Sequence, residues 1–311
     1  MPLPHRPIMV DQILAGLQVA EHENAYFVDG TLGAGGHTHA ILSTRPDNHV
    51  MGLDRDPDAL NIAGERLADF GNRVKLVHAS YIEMAQAAAT WLETADPQVD
   101  GILLDLGVSS MQFDRAERGF AFRLEGPLDM RFDPSSGIMT AAELVNSLPE
   151  KELADLFFEY GEENDSRRIA RQIVAARPIH TTTELADLIA SLWRGPRPKI
   201  HPATRVFQAL RIAVNDELGA VEDILPIALN LLKPGGRLAI LTFHSLEDRI
   251  VKQHFKQEST DCLCPPHQPI CTCQHQASIR LVNRKPIEAT AEEIDLNPRA
   301  RSAKLRIAER L

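Results

Sequence analysis

The stretch Asp29-Gly30-Thr31-Leu32-Gly33-Ala34-Gly35-Gly36-His37 most narrows what this chain can fold into. It follows an apolar run, Tyr26-Phe27-Val28, that reads as a buried strand, and it opens into Thr38-His39-Ala40-Ile41-Leu42, which reads as a helix. A strand that turns through glycines into a helix start exposes bare N–H groups and the positive end of the helix dipole. Gly35 and Gly36 are therefore expected to let the backbone come close to an electron-rich ligand. A second strand, Val50-Met51-Gly52-Leu53-Asp54, ends in a carboxylate about 20 residues further on, where such folds hold a ribose by its hydroxyls. A third strand-like run, Val74–His78, follows another helix. Together these features indicate a nucleoside-containing cofactor.

The dinucleotide fingerprint Gly-x-Gly-x-x-Gly fails here, because from Gly33 the chain reads Gly-Ala-Gly-Gly-His-Thr. Asp29 is also poorly suited to sit beside phosphates and would suit a cationic ligand. The Asp-x-x-x-Gly-x-Gly pattern resembles motif I of class I methyltransferases, whose S-adenosylmethionine carries a sulfonium and an amino group.

At 311 residues, 44% hydrophobic and 24% charged, the chain has room for one large domain plus an insertion. It has no apolar run of about 18 residues, so no membrane span is expected. Met1–Pro7 lacks the apolar core of a signal peptide, which points to the cytoplasm. The net charge of −10 argues against a nucleic-acid binder until it is divided by region. Residues 1–108 hold six Lys/Arg against fifteen Asp/Glu, whereas residues 166–211 hold nine against two. A basic segment in an acidic protein is the footprint of phosphate contact, and Arg167, Arg168, Arg171 and Arg205 lie within it.

In chain order, residues 7–19 read as an amphipathic lead-in helix, and strand–helix alternation runs on to a fourth strand, Val99–Leu106. Short connections predict a parallel, doubly wound α/β sheet. From Ser109 to Pro202 only loops and amphipathic helices are expected. The clearest is Asp165–Val174, with Asp165 or Ser166 as cap, Ile169 and Ile173 inward and its arginines outward. Apolar positions from Phe207 to Leu232 continue at helical spacing, with a break expected near Gly219 or Pro226. A fifth strand, Arg237–Phe243, follows, and Arg280–Asn283 and Leu305–Ala308 supply two more. The expected organisation is thus a discontinuous α/β domain, 1–108 plus 203–311, with a helical, RNA-recognising insertion at 109–202.

Several runs now carry a specific resemblance. They are Asp29–His37, Leu104–Ser110, Gly126–Arg131, His201–Arg205 with Phe207–Ala209, Phe243–Arg249 and Asn297–Ser302, together with the opening His5-x-Pro7. They resemble the bacterial ribosomal RNA small-subunit methyltransferase H (MraW) family nearly end to end. The resemblance implies a class I methyltransferase (Rossmann-like) fold and methylation, by S-adenosylmethionine, of the N4 amino group of a decoding-region cytosine in 16S rRNA. The small ribosomal subunit becomes the expected partner, and the oligomeric state stays open, a homodimer included. The family's cofactor positions fall on Gly35, Gly36, His37, Asp54, Tyr81, Asp105 and Gln112, and Gly33 of the same turn joins them as a cofactor-binding candidate. Tyr81 can offer an aromatic face beside adenine, with a core aromatic as the alternative.

Cytosine's amino lone pair is delocalised into its ring, so the enzyme must align nitrogen, methyl and sulfur and aim acceptors at the amine hydrogens. Other amino methyltransferases resemble one another in an Asp-Pro-Pro-Tyr motif after the fourth strand, where this chain has Asp105-Leu106-Gly107-Val108. The acceptor survives, and the prolines and aromatic do not. Asp105, Ser109 and Ser110 are the catalytic candidates, with Phe113, Phe120, Phe122 or Phe243 as stacking candidates. Leu128–Asp133 either orders the loop beside the pocket or holds a structural ion pair, and His244 is either a substrate contact or a loop residue. Cys262-x-Cys264 and Cys271-x-Cys273, near His267 and His275, depart from the Cys-x2-Cys of zinc knuckles, and no metal is expected. Two other classes are less favoured, a nicotinamide-dependent oxidoreductase and a non-catalytic ribosome assembly factor.

Overall fold

The computed structural model describes residues 7–108, 110–193, 200–265, 268 and 270–311, with backbone alone for Ser110 and Met111. The chain divides into two compact units, Met1–Gly107 with Gly219–Leu311, and Val108–Leu218. Among the described residues no helix is long and apolar enough to cross a membrane.

The first unit starts with α1 (Val10–Gly16), β1 (Tyr26–Asp29), α2 (Gly36–Thr44), β2 (His49–Asp54), α3 (Pro57–Leu67), β3 (Val74–His78), α4 (Met84–Trp91) and β4 (Val99–Asp105). The second unit carries α5 (Ser110–Asp114), α6 (Ala141–Ser147), α7 (Glu150–Gly161), α8 (Ser166–Ala176), α9 (Thr182–Ser191) and α10 (Thr204–Asn215). The chain returns through α11 (Glu217–Leu231), β5 (Leu232–Thr242), α12 (Ser245–Glu258), β6 (Ile279–Leu281), β7 (Ile287–Glu288), α13 (Ala291–Leu296) and β8 (Lys304–Arg310).

The sheet order is β3-β2-β1-β4-β5-β8-β6, with β7 also on β8. Strands β1 to β5 run parallel, and β8 runs antiparallel to β5, β6 and β7. After β3 at one edge the chain crosses back and lays β4 on the free side of β1. The order therefore reverses between β1 and β4, and their carboxyl ends diverge around a crevice.

Burial of both sheet faces explains why β4 reads as a continuous apolar run rather than an alternation. Ile102 and Leu104 face one layer with Val28, Met51, Leu238 and Ile240, packed under α4, α11 and α12. Leu103 faces the other with Phe27, Val50, Leu241 and Ile307, packed under α1, α2 and α3. Asp56 caps α3 by accepting from the Asp58 N–H at 3.0 Å, with Pro57 in the first turn. Arg306 of β8 and Asp248 of α12 form a two-pronged pair at 2.7 and 3.1 Å.

The second unit has its own core, in which Leu153, Phe157, Ile169, Ile173, Leu185, Ile189, Phe207 and Leu210 are buried. Capping boxes Thr140–Glu143 and Thr181–Glu184 start α6 and α9. Asp165 stands at the cap position of α8 as expected, but its side chain makes no capping bond. The unit runs to Leu218 rather than stopping at Pro202, because Val206, Phe207, Leu210 and Val214 of α10 are part of its core. The helical break also falls earlier than expected. Asp216 adopts the left-handed conformation at φ 50°, and Gly219 and Pro226 lie inside α11.

Candidate cofactor and substrate site

The crevice of the first unit is lined by the loop after β1 and by the carboxylates that end β2 and β4. Gly33 and Gly35 take positive φ angles of 51° and 72°, which glycine adopts without strain. Gly35 is the cap residue of α2, and its absent Cβ leaves room for Leu67 and Ala63 of α3. Gly36 leaves room for the ring of Pro7, at 3.1 Å from where a Cβ would stand. Of these three, only Gly33 has its absent Cβ in open space, with no atom of the described residues nearer than 4.0 Å. The three glycines thus differ in kind: two accommodate protein side chains and one faces open space.

Asp29 is 1% exposed. Its carboxylate accepts from the Thr38 hydroxyl at 2.8 Å and the Thr31 N–H at 3.2 Å, and burial pushes its pKa up. The expectation that Asp29 meets a cationic ligand is therefore corrected: it braces the loop from below. Thr38 occupies the place where a dinucleotide site needs its third glycine, fully buried and tied to Asp29.

Asp54 is half-buried at the end of β2. It accepts from the Gly33 N–H at 2.7 Å and the Asp56 N–H at 2.8 Å. Burial pushes its carboxyl up to about 6 against the pull of those two N–H groups. Asp105 ends β4, and its own N–H donates to the Thr31 hydroxyl at 2.6 Å. Burial pushes the Asp105 carboxyl up to about 6, opposed by His37 and aided by the charges of Asp29 and Glu247. His37 is nearly buried, its Nε2 2.8 Å from the Ile8 carbonyl, which can only accept, so Nε2 carries a hydrogen. Its Nδ1 lies 3.6 Å from Asp105 Oδ2, longer than a hydrogen bond. Tyr81 lies within the Ser80–Glu83 capping box after β3, half-buried against the first core. Asp54 is thus bonded to Gly33, and the partners that hold the other polar groups are Thr31 for Asp105, Thr38 for Asp29, and the Ile8 carbonyl for His37. Sequence reasoning had missed those last three. The threonines sit in or next to the signature turn, whereas nothing in the spacing marks Ile8.

His244 caps α12, with Glu247 close against its ring at 3.0 Å, and Glu247 accepts from the Phe243 N–H at 3.0 Å. His244 thus holds the start of α12, as a loop residue would. Much of the Phe243–Arg249 run is accounted for by starting this helix and, through Asp248, tying it to β8.

In the second unit Gln112 is buried on α5. Ser109 and His267 lie outside the described residues, as does the Ser110 side chain. Phe113, Phe120 and Phe122 belong to that unit's core, Phe120 stacked on Phe132 and Phe122 on His201. Asp129 and Arg131 form a two-pronged pair at 2.8 Å, and Asn215 ties the intervening Met130 and Phe132 backbone. Arg167, Arg168, Arg171 and Arg205 are all exposed. Arg168 donates to the Leu192 carbonyl, and Arg171 lies 3.5 Å from Glu150.

A sequence model described as the MraW methylase family matches residues 2–311. The protein named Ribosomal RNA small subunit methyltransferase H from Syntrophotalea carbinolica is 51% identical over 313 residues, covering 99% of this chain and 98% of its own. The protein of that name from Dehalococcoides mccartyi (strain BAV1) is 49% identical over 309 residues, covering 99% and 87%. Among solved structures, an rRNA methylase from Streptococcus thermophilus aligns over 99% of both chains with a TM-score of 0.44 and 11% identity. A match of this extent to the family, at about half identity to its members, is decisive: the chain belongs to the MraW methylase family.

Proposed function

We propose that this chain transfers the methyl group of S-adenosylmethionine to the N4 amino group of a decoding-region cytosine in the 16S rRNA of the small ribosomal subunit, in the bacterial cytoplasm. One observation carries the reading, the nearly end-to-end match to proteins named Ribosomal RNA small subunit methyltransferase H. The crevice supports it. Open space at Gly33 leaves room for the cofactor, and Asp54 beside it is placed to accept from ribose hydroxyls. Carboxylates at the ends of β2 and β4 favour a ligand with ammonium and sulfonium charges over a pyrophosphate. Thr38 in place of the third fingerprint glycine further disfavours a nicotinamide dinucleotide.

When bound, the cofactor supplies an electrophilic methyl group that needs no further activation. The chain must then place the cytosine nitrogen in line and take up the positive charge that develops on it. Asp105 is the carboxylate at the end of β4, ionised above about pH 6, and it is our choice of acceptor for the amine hydrogen. Ser109 and Ser110, next along the chain, are further candidates. The exposed arginines of α8 and Arg205 of α10 suit phosphate contacts, with the 108–218 unit as the RNA-recognising part.

The test is transfer of labelled methyl to small subunits from cells lacking the activity, with mapping of the labelled base. We expect N4-methylcytosine in the decoding region; label on another base or position would overturn the proposal. A purely assembly-assisting role predicts no transfer at all.

A further inference from the structure

The connection from α12 to β6, residues 259–278, holds all four cysteines of the chain. Its described residues form no helix or strand, and none of them is buried. Its base is closed by Ser278, which donates from N–H and hydroxyl to the Glu258 carbonyl and carboxylate at 2.8 and 2.7 Å. Long connections without structure of their own are uncommon in compact domains, and among the described residues of this one no apolar cluster fixes the tip.

Yet the cysteines, two pairs separated along the chain, converge. Their four Sγ atoms all lie within 4.8 Å of one another, and all four are free thiols. The Cys262–Cys271, Cys271–Cys273 and Cys262–Cys273 sulfurs are 3.5, 3.6 and 3.8 Å apart. A disulfide would bring two sulfurs to about 2.05 Å. Four thiolates about 2.3 Å from a tetrahedral ion sit about 3.8 Å from one another, which is the spacing seen here. Backbone amides turn toward them as well. The N–H groups of Leu263, Cys264 and Thr272 donate to the sulfurs of Cys273, Cys262 and Cys264 at 3.3, 3.4 and 3.4 Å. Such donors offset the negative charge of ligating thiolates and orient them. His275 is engaged elsewhere, its Nε2 3.0 Å from the Gln257 carbonyl, so among the described residues sulfur alone makes up the donor set.

We propose that Cys262, Cys264, Cys271 and Cys273 hold a structural zinc ion that closes the tip of this loop. Four sulfurs leave no open coordination position, which separates the ion from methyl transfer and assigns it a folding role. The Cys-x-Cys spacing, on which a metal was not expected, is accommodated by geometry. Residues two apart present both sulfurs to one side, and the second residue's amide bonds back to the first sulfur, as Cys264 does to Cys262.

The test uses the full chain purified under reducing conditions and dialysed against metal-free buffer. Elemental analysis should find about one zinc per chain. All four thiols should resist alkylation until a chelator is added, and zinc should be lost in Cys262→Ser and in Cys273→Ser. Because a serine variant alone could lose metal through local misfolding, the wild-type metal content and thiol protection stand as independent measurements. Four thiols that alkylate at once in a metal-free protein would overturn the proposal. So would two disulfides, seen as no reactive thiol after denaturation without reductant, or iron in place of zinc.

Discussion

Gly33, Gly35 and Gly36 sit within four residues of one another and lack side chains for different reasons, which makes them separable by mutation. Gly36→Val would drive a branched side chain into Pro7, so its main effect should be on stability rather than on the cofactor. Gly33→Ala costs about 1–2 kcal/mol of backbone strain at φ 51° and places a methyl group in the open space. We expect it to weaken S-adenosylmethionine binding in calorimetry while Gly36→Val lowers the melting temperature; the opposite pattern would reject this division of roles. Asp105→Ala should slow single-turnover methyl transfer by on the order of 100-fold, typical of removing one preorganised transition-state interaction, with Asp105→Asn between. A defect that vanishes at saturating cofactor would make Asp105 a binding residue alone. Asp54 and Asp105 also set a pH dependence, since burial raises both to about 6. Between about pH 4 and 6 the native chain keeps protons that the unfolded chain has released, so their contribution to the ligand-free protein's stability falls as pH rises through that window. Cofactor affinity should move the other way, rising as both ionise and levelling off above about pH 7, which calorimetry across that range would check.

At the scale of elements, α8 offers the sharpest test of the RNA reading. Its inward face is fixed by Ile169 and Ile173, and Arg167, Arg168 and Arg171 face outward. The Arg171–Glu150 pair is exposed enough to contribute little. Arg168 holds the end of α9 through the Leu192 carbonyl, so its removal costs roughly 1 kcal/mol of local stability. Changing all three to Glu should weaken RNA binding and lower the slope of log affinity against log salt by about 0.9 for each phosphate that is no longer neutralised, with cofactor affinity unchanged. An unchanged slope would return the helix to a merely solvated face. The faces of α8 and the strand–turn–helix at Gly33 were legible because periodicity and glycine placement are local properties. The break at Asp216 was not, since apolar spacing continues across it and only a left-handed φ marks it. Nor was the gathering of the cysteines, because loop conformation rather than spacing brings Cys262 beside Cys271.

At the scale of the whole molecule, the sequence announced an inserted unit through a gap in strand signals and a reversal of charge. It did not place the far boundary, because α10 carries a helix pattern that would serve either side and only its partners assign it to the second core. The two units have separate apolar cores, so their opening should be separately measurable. A ligand that binds only the folded form of one unit stabilises that unit by mass action, by about 2.7 kcal/mol at 100 times its Kd. Saturating S-adenosylmethionine should therefore slow hydrogen exchange by about 100-fold at the slowest amides of β1, β2, β4 and β5. Amides of α7, α8 and α10 should exchange at their original rate. Uniform slowing across both units would mean that they open as one cooperative body, and slowing confined to the second would move the cofactor site away from Gly33, Asp54 and Asp105.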